Sequence, residues 1–152
     1  ESNKKIIIFG KGLNSLKKPE NEIYLGNSGT SARLLTGLLA AQKFDTVLTG
    51  DNSLSKRPME RISEPLNRMN AKIFTSNGTM PLKIIGNDLI AKKFDLKIPS
   101  AQIKSGILLA SLNTKGETFI TENKVTRNHT EIMLKFFGAD INRKGKKITF
   151  YY

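Results

Sequence analysis

Cysteine and tryptophan are absent from this chain, and histidine occurs once, at His129. Without cysteine there is no disulfide framework and no thiolate metal site, and a single histidine cannot build a multi-histidine metal centre. The composition suits a reducing compartment, so a cytoplasmic location is expected. Long apolar runs are also missing. The longest, Ile107-Leu108-Leu109-Ala110, is interrupted by Ser111 and Asn113, well short of a membrane span. Aromatic residues make up only 7% of the chain, and they do not interleave with the basic ones as a nucleic-acid stacking platform requires. The amino end, Glu1-Ser2-Asn3-Lys4-Lys5, has no apolar signal region and no initiator Met, and it reads as a cut inside a longer chain.

Positive charge is what the chain has in excess: 25 Lys and Arg against 13 Asp and Glu, a net +12. That balance raises nucleic acid as a partner class. The lysines, however, come as scattered pairs (Lys4-Lys5, Lys17-Lys18, Lys92-Lys93, Lys146-Lys147) and read mostly as a solvated surface, with the remainder serving anionic substrates. With 38% hydrophobic residues in 152, the chain can bury a core of ordinary domain size.

Apolar periodicity predicts helices over residues 30–42, 58–69, 100–112 and 128–137. Pro58 suits a first helical position, Ser100 and Thr126 are candidate caps, and Gly138 stands where a left-handed residue would end the last helix. Alternating β-branched and polar residues predict strands over 5–9, 46–49, 71–75, 82–85, 94–98, 117–121, 139–142 and 147–151, with Gly145 closing a hairpin. Two stretches echo one another at a period of roughly seventy residues, too long for a solenoid unit and suited to a duplicated subdomain. Thr30-Ser31-Ala32-Arg33-Leu34-Leu35 matches Ser100-Ala101-Gln102-Ile103-Lys104-Ser105, and Asp45-Thr46-Val47-Leu48-Thr49 matches Glu117-Thr118-Phe119-Ile120-Thr121.

The loop Leu25-Gly26-Asn27-Ser28-Gly29-Thr30 leads into an apolar helix whose first N–H groups lack intrahelical partners. A second loop, Gly50-Asp51-Asn52-Ser53-Leu54-Ser55-Lys56-Arg57-Pro58, delivers an arginine. Together they form a pattern suited to holding one small anion from two sides. With Ser100-Ala101-Gln102-Ile103-Lys104-Ser105 and Thr126-Arg127-Asn128-His129-Thr130-Glu131 added in this order, the chain resembles the 5-enolpyruvylshikimate-3-phosphate synthase family over nearly its whole length.

The resemblance implies an α/β (α+β) protein with the enolpyruvyl transferase fold, built from repeated βαβαββ subdomains with helices inside and sheets outside. On that plan residues 1–25 end a preceding repeat, 26–92 form one repeat and 93–152 a second, all within one domain of a longer enzyme. The implied reaction moves the enolpyruvyl group of phosphoenolpyruvate onto the 5-hydroxyl of shikimate-3-phosphate and releases phosphate, with no metal or organic cofactor. The implied partners are these two substrates and a missing second domain of the same chain, with neither nucleic acid nor membrane.

By the same resemblance, Asn27, Gly29, Thr30, Arg57 and Gln102 bind phosphoenolpyruvate. Gly29 lets the anion approach the backbone, and Arg57 clasps it with two parallel bonds that Lys cannot reproduce. Glyphosate occupies that space in sensitive members, and Gly29 is consistent with sensitivity. Ser100, Ala101, Gln102, Thr126, Arg127 and His129 are implied to bind shikimate-3-phosphate, its phosphate at a helix start, with His129 beside the sugar ring. Arg33 reads as a helix-surface residue or a support for the first loop, and Asp51, Glu60 and Glu131 as helix-start charges. Enolpyruvyl transfer also needs a general acid and a base. The resemblance places these outside the chain, so no catalytic residue is assigned and the chain alone is expected to be inactive. Two alternatives stand beside this reading: a relative of the sister transferase acting on UDP-N-acetylglucosamine, and a basic nucleic-acid-binding module.

Overall fold

A computed structural model describes residues 5–152. Helices α1 (Gly29–Ala40), α2 (Asn52–Ser55) and α3 (Glu60–Arg68) are interleaved with strands β1 (Ile23–Tyr24), β2 (Thr46–Thr49), β3 (Lys72–Ser76) and β4 (Thr79–Ile85). The second half contains β5 (Lys93–Leu96), α4 (Ala101–Ser111), β6 (Glu117–Glu122), α5 (His129–Phe136), β7 (Asp140–Lys144) and β8 (Lys147–Tyr151). Two four-stranded sheets result, in the orders β1-β2-β4-β3 and β5-β6-β8-β7. Each has one parallel pair, β1 with β2 and β5 with β6, and two antiparallel pairs. A parallel pair requires a crossover, which α1 and α4 supply.

Alternation along the strands gives each sheet one apolar face. Met80, Leu82 and Ile84 of β4 are buried, with Pro81 and Lys83 exposed between them, and Ile148 and Phe150 of β8 point inward in the same way. These faces lie against the helices, of which α1, α3 and α4 pack on one another. Eight of the 11 residues of α4 are buried, so this helix is enclosed on most sides and is not an amphipathic surface element.

The α1–α4 contact fixes the site. Gly37 faces Gly106 so closely that a Cβ on Gly37 would stand 2.0 Å from the Gly106 carbonyl oxygen. Nearer the helix starts, Gln102 Nε2 donates to Thr30 Oγ1 at 2.8 Å. These two contacts, eight residues into α1 and at its start, show that the helices run in the same direction with their N-termini side by side.

Ser100 caps α4 as expected, its hydroxyl accepting from Ile103 N at 3.3 Å. Gly138 and Gly145 have φ values of +90° and +57°, as a helix stop and a hairpin require. Other expectations are corrected. Residues 5–9 form no strand, and Ile6, Ile8 and Phe9 are at least 85% exposed. An alternating pattern makes a strand only where another backbone offers a ladder, and among the described residues none does.

Pro58 is not the first helical residue. The helix starts at Glu60, because Met59 N is bonded to Gly78 O at 2.8 Å and ties the entry to the β3–β4 turn. Thr126 does not cap α5. Asn128 occupies that position, and the Thr126 hydroxyl is bonded to Glu122. The short elements β1 and α2 were not expected. Asp51 does act as a helix-start charge, capping α2 by accepting from Leu54 N at 2.8 Å. Among the described residues, no helix is long and apolar enough to cross a membrane.

Candidate anion site

The first loop enters α1 through Ser28, whose hydroxyl accepts from Ser31 N at 3.1 Å and leaves neighbouring N–H groups at the helix start pointing outward. The Gly26 and Asp51 loops are tied together by Asp51 N donating to Gly26 O at 2.9 Å. That bond brings Arg57 alongside the helix start, where its Nη2 donates to Asn27 Oδ1. A Cβ on Gly29 would lie 2.8 Å from Arg33 Nη1 and 3.0 Å from Arg57 Nη1. The lack of a side chain at this position is therefore what lets two guanidiniums reach the backbone.

Arg33 holds the cluster together. Its Nη1 donates to Gly29 O at 3.1 Å and to Gln102 Oε1 at 2.9 Å, and its Nη2 to Pro58 O at 3.3 Å. With its oxygen engaged by Arg33, the Gln102 amide turns its NH₂ toward Thr30. Gly29, Thr30 and Gln102 are thus linked through Arg33, the bonded pair Asn27 and Arg57 stands beside them at Gly29, and of the two roles expected for Arg33 the structure selects loop support.

Burial, followed by the like charges of Arg57 and Arg61, holds the Arg33 pKa below the ordinary arginine value. Among the described residues, none of these three arginines makes a salt bridge. Two guanidiniums meet at the helix N-terminus, one of them also feeling the charge of Arg61, with no ion-paired carboxylate among the described residues to balance them, and a bound anion would offset the repulsion.

The second group is tied together through α4, whose Lys104 and Ser105 bond Arg127 O and Thr130 Oγ1 at 3.0 and 2.7 Å, one turn beyond Ser100. Ser100 and Ala101 are half-buried at the helix start, while Arg127 and His129 are exposed. Thr126 bonds to Glu122 Oε1 through its hydroxyl and, at 3.2 Å, through its N–H. The Arg127 carbonyl accepts from Lys104 Nζ at 3.0 Å, and its side chain makes no hydrogen bond among the described residues. Helix α4 joins the two groups, with Gln102 reaching the first and Lys104 the second.

Sequence reasoning missed Lys104, Glu122 and Arg143, which form a buried ionic cluster with Glu131. A signal was available: Glu122 shares the inward face of β6 with Thr118 and Ile120, and Lys104 is the one charged residue of α4. Glu131 does sit in the first turn of α5, but it is 5% exposed and ion-paired.

This is an α/β protein in which two helix N-termini stand side by side with arginines gathered at one of them. The family model for EPSP synthase (3-phosphoshikimate 1-carboxyvinyltransferase) matches residues 1–152, and the chain belongs to that family. A 3-phosphoshikimate 1-carboxyvinyltransferase of Ruthia magnifica subsp. Calyptogena magnifica is 55% identical over 144 residues, which cover 94% of this chain and 33% of the relative. One from Streptococcus agalactiae serotype Ia is 48% identical over 146 residues, 94% of this chain and 34% of the relative. The solved EPSP synthase of Acinetobacter baumannii superposes with a TM-score of 0.91 at 54% identity, over 93% of this chain and 33% of that one. The chain spans about a third of the length of the relatives it matches. These names favour the first of the three readings over the sister transferase and the nucleic-acid module.

Proposed function

We propose that the chain supplies one wall of the active site of a longer enzyme. That enzyme transfers the enolpyruvyl group of phosphoenolpyruvate to the 5-hydroxyl of shikimate-3-phosphate and releases phosphate, in the cytoplasm and without a cofactor. The observation that carries this reading is the meeting of Arg33 and Arg57, neither of them ion-paired among the described residues, at Gly29 of the α1 N-terminus beside that of α4. Phosphoenolpyruvate lies against Asn27, Gly29, Thr30, Arg57 and Gln102. Shikimate-3-phosphate lies against Ser100, Ala101, Gln102, Thr126, Arg127 and His129. The recurring strand order supports two copies of one unit, read here as 26–92 and 93–152 with 1–25 ending a preceding copy, although the first sheet also takes in β1 (Ile23–Tyr24) from before residue 26. The remaining partner is a second domain that closes over the substrates.

Turnover needs a proton donor to the methylene carbon and an acceptor for the 5-hydroxyl proton. Lys104, Glu122 and Glu131, which stand closest to the second group, are already engaged with one another. The 152-residue chain alone should therefore release no phosphate from the two substrates in a coupled assay. Measurable release would place an acid and a base on this wall and overturn that assignment.

The chain should bind shikimate-3-phosphate more tightly than shikimate, because only the phosphate engages the α4 start and Arg127. One charged hydrogen bond is worth about 1.5–3 kcal/mol, so Arg127→Ala should remove most of the difference between the two ligands in a calorimetric titration. Equal binding of the two ligands by the unaltered chain would remove the sugar-phosphate assignment.

A further inference from the structure

Beneath the Thr126-Arg127 loop lies a four-membered charge cluster. Lys104 Nζ is 2.8 Å from Glu131 Oε1 and 3.3 Å from Glu122 Oε1. Arg143 closes the ring, with Nη2 2.8 Å from Glu122 Oε2 and Nη1 2.5 Å from Glu131 Oε1. The side chains of Lys104 and Glu122 are 0% and 2% exposed. The two positive and two negative charges cancel. Even so, the attraction in such a cluster does little more than offset the desolvation of its members, so it is a weak source of stability. Glu131 Oε2 is buried with no hydrogen-bond partner among the described residues, a further cost that a cluster serving stability alone would avoid.

The outward bonds of the cluster suggest what it does. Lys104 Nζ donates to the Arg127 carbonyl at 3.0 Å, and Glu122 Oε1 accepts both the N–H and the hydroxyl of Thr126. The loop is therefore gripped at two successive residues while the Arg127 side chain stays exposed. Lys104 lies one turn along α4 from Ser100, with its N–H bonded to Ser100 O at 3.2 Å. One buried side chain thus links the start of α4 to the loop opposite.

We infer that Lys104, together with Glu122, Glu131 and Arg143, is a positioning residue that sets the placement of Arg127 relative to Ser100 and so governs capture of the sugar phosphate. This rests on the assignment of Arg127 to shikimate-3-phosphate made above. The role is positional: Lys104 reaches the ligand only through the Arg127 main chain, and its charge is spent on the two glutamates.

The test is steady-state kinetics of the full-length enzyme. Lys104→Met leaves two buried carboxylates facing one arginine and endangers folding. The pair Lys104→Met with Glu131→Gln keeps the cluster neutral and carries the test, with thermal unfolding recorded beside it. The pair should raise the shikimate-3-phosphate KM about tenfold and leave the phosphoenolpyruvate KM within about twofold. Adding Arg127→Ala to the pair should make the shikimate-3-phosphate constant no worse than Arg127→Ala alone, because both changes remove the same contact.

A folded pair with an unchanged shikimate-3-phosphate KM, a rise in both constants together, or effects that multiply with those of Arg127→Ala would each overturn the positioning role while leaving the Arg127 assignment in place. If Arg127→Ala itself leaves the shikimate-3-phosphate KM unmoved, the assignment fails and the positioning role fails with it.

Discussion

Arg57→Lys in the full-length enzyme should raise the phosphoenolpyruvate KM by roughly 10- to 100-fold, the equivalent of about 1.5–3 kcal/mol for a lost charged hydrogen bond. The shikimate-3-phosphate KM should stay within about twofold. The charge survives this change, so what is lost is geometric. Arg57 uses one nitrogen to bond Asn27 Oδ1 and turns another toward the Gly29 backbone, a division of labour that a planar fork permits and an ammonium does not. Gly29→Ala should act through the same groups with a smaller effect, because its methyl would meet the far ends of Arg33 and Arg57, which can shift. If Arg57→Lys mainly raised the shikimate-3-phosphate constant, the two substrates would have to exchange places on this wall.

The second large effect should be on stability. Helix propensity favours Gly37→Ala by about 0.5–1 kcal/mol. Against this stands a Cβ placed 2.0 Å from the Gly106 carbonyl oxygen and 2.9 Å from its Cα, where backbone and not a flexible side chain must yield. Overpacking in a core costs about 1–3 kcal/mol and occasionally more, and a collision between two backbones belongs at the upper end. A net loss of about 2 kcal/mol or more follows, which lowers the midpoint of thermal unfolding by roughly 4–8 °C in a chain of this size. An unchanged or raised midpoint for Gly37→Ala would mean that α1 and α4 do not meet at these glycines.

Much of the fold was legible because its signals are local. Ser100 before an apolar run, Gly138 after one, and Gly145 between two alternating runs each state a boundary in their own neighbourhood, and each boundary fell where expected. Errors arose where a distant partner outweighed a local preference. Met59 is held by Gly78, and the Thr126 hydroxyl turned from helix capping to a buried carboxylate. Residues 5–9 have the composition of a strand and no ladder to join among the described residues. The site divides in the same way. The motifs carrying Asn27, Thr30, Arg57 and Gln102 stand out in the sequence, but the bond from Arg33 to Gln102 spans 69 positions and depends on the packing of α1 against α4. Lys104 received no role from the sequence because its partners, Glu122 and Glu131, are supplied by a later strand and a later helix.

The contact between Gly37 and Gly106 also acts as a ruler. Because no side chain stands between the two backbones, the separation of the two helix starts is set by the thickness of the main chain itself and not by rotamers that can drift. On the proposed reading, two anions seated on those starts would be held at a spacing that substitutions around the rim cannot retune. Their positions relative to this wall would then be settled before a second domain arrives, and closure would have only to carry reactive groups to a pair of ligands already in register.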